Sequence, residues 1–217
     1  MPQIQHLLFD LDDTLYTDET GLFVEVGARI QDWTQRALNV SQDEAERVRN
    51  HYFNTYGTTM SGLLRDHPEL DIDDYLDYVH DVDITKYLDP APELDAMLSR
   101  LPAPKSVFTN SITSWAQRIT RHLGIRHHFE RVFDVRAVGY RSKPDPHAFE
   151  VVLSALDLPG EACVLLDDRA FYLEGAAAAG IHTILVRKGA RATGAIEAAV
   201  GHILEAEPII LQLLKGD

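Results

Sequence analysis

Phe9-Asp10-Leu11-Asp12-Asp13-Thr14-Leu15-Tyr16 is the stretch on which the reading of this chain turns. It ends an apolar run over residues 4–9 that stops abruptly at Asp10, the pattern of a buried strand whose carboxyl end opens onto a site. Carboxylates at 10 and 12 can reach one point if the backbone curls there. Two acids in different surroundings can then divide the work, one attacking while the other transfers a proton. Alone, Asp-x-Asp reads equally well as an exposed turn cap.

Downstream, short apolar runs recur at 106–108, 132–133, 162–166 and 183–186, with helical patterns between them at 93–101, 114–123, 146–156 and 172–179. Gly124 and Gly180 stand where two of those helices should stop. Strands alternating with helices predict an α/β fold with a Rossmann-like parallel-sheet core. Residues 17–90 break the rhythm, with no convincing strand. Leu22, Val26, Ile30, Trp33 and Ala37 recur at helical spacing, and Ser41 with Glu44 forms a capping-box signature for a helix showing Ala45, Val48, Tyr52 and Tyr56 on one face. The expected organisation is a core of residues 1–16 and 91–217 with a helical cap, 17–90, inserted after the first strand, where it would cover the sheet's carboxyl edge.

Three further groups follow predicted strands at that edge. Thr109-Asn110-Ser111 offers a hydroxyl and turn amides suited to phosphate oxygens. Lys143 precedes a helix in Lys143-Pro144-Asp145-Pro146, and Asp167-Asp168 directly follows residues 162–166. Taken singly, Lys143 is a surface lysine before a proline turn and Asp168 a helix cap. In register at one sheet edge, they read as a site for an anionic ligand.

With these residues in order, the sequence resembles the haloacid dehalogenase superfamily of phosphoryl-transfer enzymes, whose four motifs match residues 10–15, Thr109, Lys143 and Asp167-Asp168. It also resembles the pyrimidine 5'-nucleotidase-like branch through residues 9–16, Tyr56-Gly57-Thr58-Thr59 and residues 143–149. The resemblance implies an aspartyl-phosphate mechanism, in which Asp10 attacks phosphorus and Asp12 protonates the leaving oxygen, later deprotonating the hydrolytic water. It implies Mg2+ held by Asp10, Asp168 and the Asp12 carbonyl, with Lys143 easing charge repulsion and Thr109 and the Asn110 amide orienting phosphate. Asp12 favours ester hydrolysis over the superfamily's dehalogenases, which lack the second acid.

The implied substrate is a small phosphorylated metabolite, with a pyrimidine nucleoside monophosphate leading and phosphoglycolate or a sugar phosphate as the alternative. A phosphosugar mutase and a non-catalytic phosphate-binding protein are the rival classes. Tyr56, Thr58 and Thr59 are the candidate base contacts; read without the resemblance, they are a helix terminator with a core tyrosine. The chain departs from the branch at Arg169 and Tyr172, where a serine and an asparagine or aspartate are usual. Arg169 is expected to pair with a surface acid, and Tyr172 to pack.

Composition limits the remaining possibilities. The 217 residues are 45% hydrophobic and 25% charged, a balance suited to one main core with length left for a small second lobe. A net charge of −14 without a lysine/arginine run disfavours binding to a nucleic acid polymer. No stretch resembles a signal peptide or membrane span, so a cytoplasmic location is the expectation. The lone Cys163 lies in an apolar run and reads as a buried side chain. The ten histidines show no metal-ligand spacing; His122, His127 and His128 read as surface or packing residues. The acidic segment 66–89 lacks calcium-loop order and reads as a solvated face.

Overall fold

The computed structural model describes residues 3–216. In chain order, its strands are β1 (His6–Phe9), β2 (Lys105–Phe108), β3 (Arg131–Phe133), β4 (Cys163–Asp167), β5 (His182–Val186) and β6 (Ala198–Val200). Its helices are α1 (Leu22–Leu38), α2 (Gln42–Tyr56), α3 (Thr59–Asp66), α4 (Ile72–Val79), α5 (Pro92–Arg100), α6 (Thr113–His122), α7 (Pro146–Leu156), α8 (Ala170–Ala178) and α9 (Glu207–Lys215). The chain divides into two compact units. One runs to Thr17 and resumes at Leu88; the other is Asp18–Tyr87.

The first unit holds one six-stranded sheet in the order β3-β2-β1-β4-β5-β6, with every neighbouring pair parallel. Helices cover both faces of such a sheet, so its central strands are apolar throughout rather than alternating. Leu7, Leu8 and Phe9 on β1 and Val164, Leu165 and Leu166 on β4 are fully buried. The core packs Leu8, Phe108, Phe149, Val152, Leu165 and Leu173 into one cluster, with Phe149 meeting Phe108 edge-on at 5.6 Å. Lys105 is also buried within β2. Its ammonium is satisfied by the carbonyls of Leu101 and Ala103 at 2.6 and 3.0 Å, just beyond α5.

Register sets the site. Phe9 pairs with Val107 on one side and Leu166 on the other, so β2, β1 and β4 finish together and release residues 109, 10 and 168 at a shared edge. The Asp10 amide still donates to the Leu166 carbonyl at 2.9 Å, holding the start of the loop to β4. Beyond it, Asp13 takes a left-handed φ of 60°, the curl that turns the chain back after Asp12.

In the second unit, α1 buries Leu22, Val26 and Trp33, and Ser41 caps α2 by accepting the Glu44 amide at 3.3 Å. Gly57 ends α2 at φ 85°, and Thr58 caps α3. A Cβ on Gly62 would lie 2.0 Å from Tyr52 Cγ, so the approach of α3 to α2 requires glycine there. Trp33 meets Tyr75 of α4 edge-on at 5.1 Å and donates its indole N–H to Asp74 at 2.9 Å. No helix among the described residues is long and apolar enough to cross a membrane.

Candidate active site

Lys143 is fully buried, and each of its three ammonium protons has an acceptor: Asp10 Oδ1 at 2.8 Å, Asp167 Oδ2 at 2.7 Å and the Phe108 carbonyl at 2.8 Å. One cation thus joins the ends of three adjacent strands. Burial opposes its charge, but Asp10 and Asp167 outweigh that and hold the amine protonated above the ordinary lysine range. Its ammonium also lies over the Phe108 and Tyr172 rings, at 5.0 and 5.4 Å.

The loop carrying Lys143 is fixed from three directions. Asn110 donates Nδ2–H to the Lys143 carbonyl at 3.0 Å and accepts the Lys143 amide on Oδ1 at 2.8 Å. Asp145 caps α7 by accepting the His147 amide at 2.9 Å, with Pro146 opening the helix. Gly175 of α8 closes the third side: a Cβ there would stand 2.8 Å from both the Pro144 carbonyl oxygen and Phe149 Cε2.

Asp10 accepts Thr14 Oγ1–H on its second oxygen at 3.0 Å. Burial pushes its carboxyl up, against the pull of Lys143 and with a further push from Asp12. Asp12 is held separately. Its Oδ1 accepts from Tyr16 OH at 2.6 Å and Trp115 Nε1 at 2.8 Å, and its Oδ2 from Ser111 Oγ at 2.6 Å. Burial again raises the carboxyl, and these three donors oppose the rise.

Carboxylate oxygens of Asp10, Asp167 and Asp168 lie within 4.8 Å of one another. Burial, followed by Asp167, Asp10 and Asp13, drives the Asp168 carboxyl up to about 9, with Lys143 alone pulling it down among the named causes. An all-oxygen anionic donor set left with unneutralised charge suits a hard divalent cation such as Mg2+. The Asp12 carboxylate lies outside this group, leaving its main-chain carbonyl as the atom it could offer an ion. Thr109 is buried with Oγ1 accepting the Ser111 amide at 3.0 Å, which leaves the hydroxyl proton to be donated elsewhere.

A family model for haloacid dehalogenase-like hydrolases matches residues 4–180. The chain belongs to that family. Among curated relatives of this haloacid dehalogenase-like hydrolase, Phosphate metabolism protein 8 of Saccharomyces cerevisiae is 28% identical over 165 residues, 69% of this chain and 50% of its own length. Fructose-1-phosphate phosphatase YqaB of Escherichia coli is 31% identical over 101 residues, 46% of this chain and 53% of its own. The chain therefore spans about half the length of these relatives. The solved HAD phosphatase of Thermococcus onnurineus shares the fold, with a TM-score of 0.62, 19% identity, and coverage of 95% of this chain and 98% of that one.

Sequence reasoning named Asp10, Asp12, Thr109, Asn110, Lys143 and Asp168, and the structure places all six in the sheet-bearing unit of this family member. It gave no role to the Asp12 donors. Tyr16, four residues after Asp12, and Ser111, two after Thr109, were within local reach, but nothing in the sequence aims the Trp115 indole. Asn110 was expected to act through its amide, and its side chain is engaged with Lys143. Tyr172 stacks beneath Lys143 and the Arg169 guanidinium, the latter at 4.8 Å from the ring.

In the helical unit, Thr58 accepts the Ser61 amide at 3.0 Å as the cap of α3, and buried Thr59 donates to the Arg49 carbonyl at 3.4 Å. Tyr56 carries the Arg65 guanidinium 5.0 Å from its ring and lies 6.0 Å from Tyr52. These side chains build the α2–α3 junction.

Proposed function

We propose that this chain is a magnesium-dependent phosphomonoesterase working through an aspartyl phosphate on Asp10. The observation that carries the reading is the Lys143 bridge between Asp10 and Asp167, which sets a cation against the buried Asp10 carboxyl and fixes that carboxyl at the strand edge. Asp10 attacks phosphorus and the ester oxygen leaves, taking a proton from Asp12. Asp12 then accepts a proton from water as that water attacks phosphorus, which releases phosphate and regenerates the Asp10 carboxylate. The Thr109 hydroxyl and the Asn110 main-chain amide orient the phosphoryl oxygens. Magnesium, held by Asp10, Asp168 and the Asp12 carbonyl, would supply positive charge against those oxygens as the two anions approach.

The leading substrate is a pyrimidine nucleoside 5'-monophosphate, supported by the resemblance of residues 9–16, 56–59 and 143–149 to that nucleotidase branch. Thr58 and Thr59 serve the helix junction, and half-buried Tyr56, which also packs there against Tyr52 and Arg65, is the proposed base contact. A sugar phosphate is the second reading, favoured by the similarity to Fructose-1-phosphate phosphatase YqaB. The proposed organisation places residues 17–90 as the substrate-selecting cap. Phosphate release from UMP, CMP, fructose 1-phosphate and phosphoglycolate, with Mg2+ or EDTA, tests both levels. Magnesium-dependent release from UMP and CMP supports the leading reading. Preference for another ester replaces the substrate and keeps the chemistry, while no release from any overturns the chemistry.

A further inference from the structure

We propose that Asp95, His127 and His128 form a second cation site in the sheet-bearing unit, one that takes a borderline divalent ion of the zinc type. Asp95 lies in the first turns of α5, and the two histidines belong to the short helical turn Arg126–His128. Both imidazoles reach the same carboxylate oxygen: His128 Nε2 lies 2.7 Å and His127 Nε2 3.2 Å from Asp95 Oδ1. All three ligand atoms lie within 4.8 Å of one another. Around a tetrahedral ion with bonds of about 2.0–2.1 Å, neighbouring ligand atoms stand about 3.3 Å apart, so small side-chain adjustments convert this contact into coordination.

The donor set decides the kind of ion. Two imidazole nitrogens with one carboxylate suit zinc and its neighbours, whereas the oxygen-only group at Asp10, Asp167 and Asp168 suits magnesium. The site is also built to receive an ion from solvent. The His128 side chain is only 9% exposed and anchors the group, while that of His127 is 64% exposed and opens the group to solvent. Arg126, the cation in the same turn, directs its guanidinium to the Phe129 carbonyl rather than to Asp95. Spacing in the sequence conceals the group, because adjacent histidines meet an acid from a helix more than thirty residues earlier. The inference stands independently of the phosphatase reading.

Zinc titration against a chromophoric indicator, with magnesium in saturating excess to occupy oxygen-only sites, tests it on the full chain. Wild type should bind one zinc per chain. His127→Ala, a largely exposed truncation that spares the fold, should weaken that binding, and His127→Ala/His128→Ala should abolish it while leaving magnesium-dependent turnover unchanged. X-ray absorption of the zinc-loaded protein should show imidazole neighbours. Absence of zinc binding by wild type under these conditions, or unaltered zinc affinity in His127→Ala, would overturn the site and leave Asp95 a plain hydrogen-bond acceptor.

Discussion

Asn110 and Lys143 hold each other reciprocally, side-chain amide to main chain, through bonds of 3.0 and 2.8 Å. The residue after Thr109 thereby fixes the backbone from which the Lys143 ammonium reaches Asp10. Neutral hydrogen bonds of this kind contribute about 0.5–1.5 kcal/mol each. Asn110→Ala should therefore lower turnover by roughly tenfold or more while folding remains cooperative, as read by steady-state kinetics beside a urea melt. Unchanged turnover would show that the loop is held by Asp145 and Gly175 alone.

Removing the Lys143 charge should damage the fold as well as the chemistry. Lys143→Met would leave Asp10 and Asp167 buried together without their cation, a loss of about 3–5 kcal/mol for a broken buried pair. In wild type, burial already pushes Asp167 up to about 6, so acid neutralises it readily. The destabilisation should shrink between pH 8 and pH 5.5, because protonation removes the repulsion that the substitution exposes. Denaturation midpoints of both proteins at the two pH values check the sign.

Trp115 has no acceptor on its indole N–H, so it can only donate to Asp12. Trp115→Phe removes one of two donors from Oδ1 and should cut turnover by about ten- to a hundredfold, the range for a hydrogen bond to a charged group. The Michaelis constant should move much less. A change confined to the Michaelis constant would make Trp115 a binding residue instead.

The Asp168 carboxyl rises from 3.8 to about 9 in the metal-free fold, so the folded state binds this proton more tightly than the unfolded chain does. Its contribution to stability is full at the acid end and is lost as pH climbs from about 4 towards 9. Magnesium requires the deprotonated form, so its affinity should rise by up to about tenfold per pH unit below 9. Thermal melts with and without Mg2+ at pH 6 and 8.5 should show the larger magnesium-induced increase in Tm at pH 8.5.

The alternation of apolar runs with helical patterns made the parallel sheet legible as far as β5, because strands buried on both faces have no polar side to confuse the pattern. β6 and α9 were not read. Ala198, Ala199 and Val200 form a three-residue edge strand whose alanines follow Ile196 and Glu197 as a helix would, so only pairing with β5 defines it. At the site, the meeting of Asp10, Lys143 and Asp167 was legible because each lies beyond an apolar run that ends at one sheet edge. Trp115, Asn110's side-chain role and the meeting of Asp95 with two histidines were not, since each depends on where a distant side chain points. Thr58 shows why a hydroxyl's role is hard to read, because a cap hydroxyl and a ligand hydroxyl look alike in sequence, and here it caps α3.

The central claim is a covalent phosphoryl group on Asp10. Rapid acid quench of wild type turning over a phosphate monoester with Mg2+, followed by peptide mass analysis, should place a hydroxylamine-labile phosphoryl group on the peptide containing Asp10, absent from Asp10→Asn. Turnover without any phosphopeptide, retained in Asp10→Asn, would contradict the account.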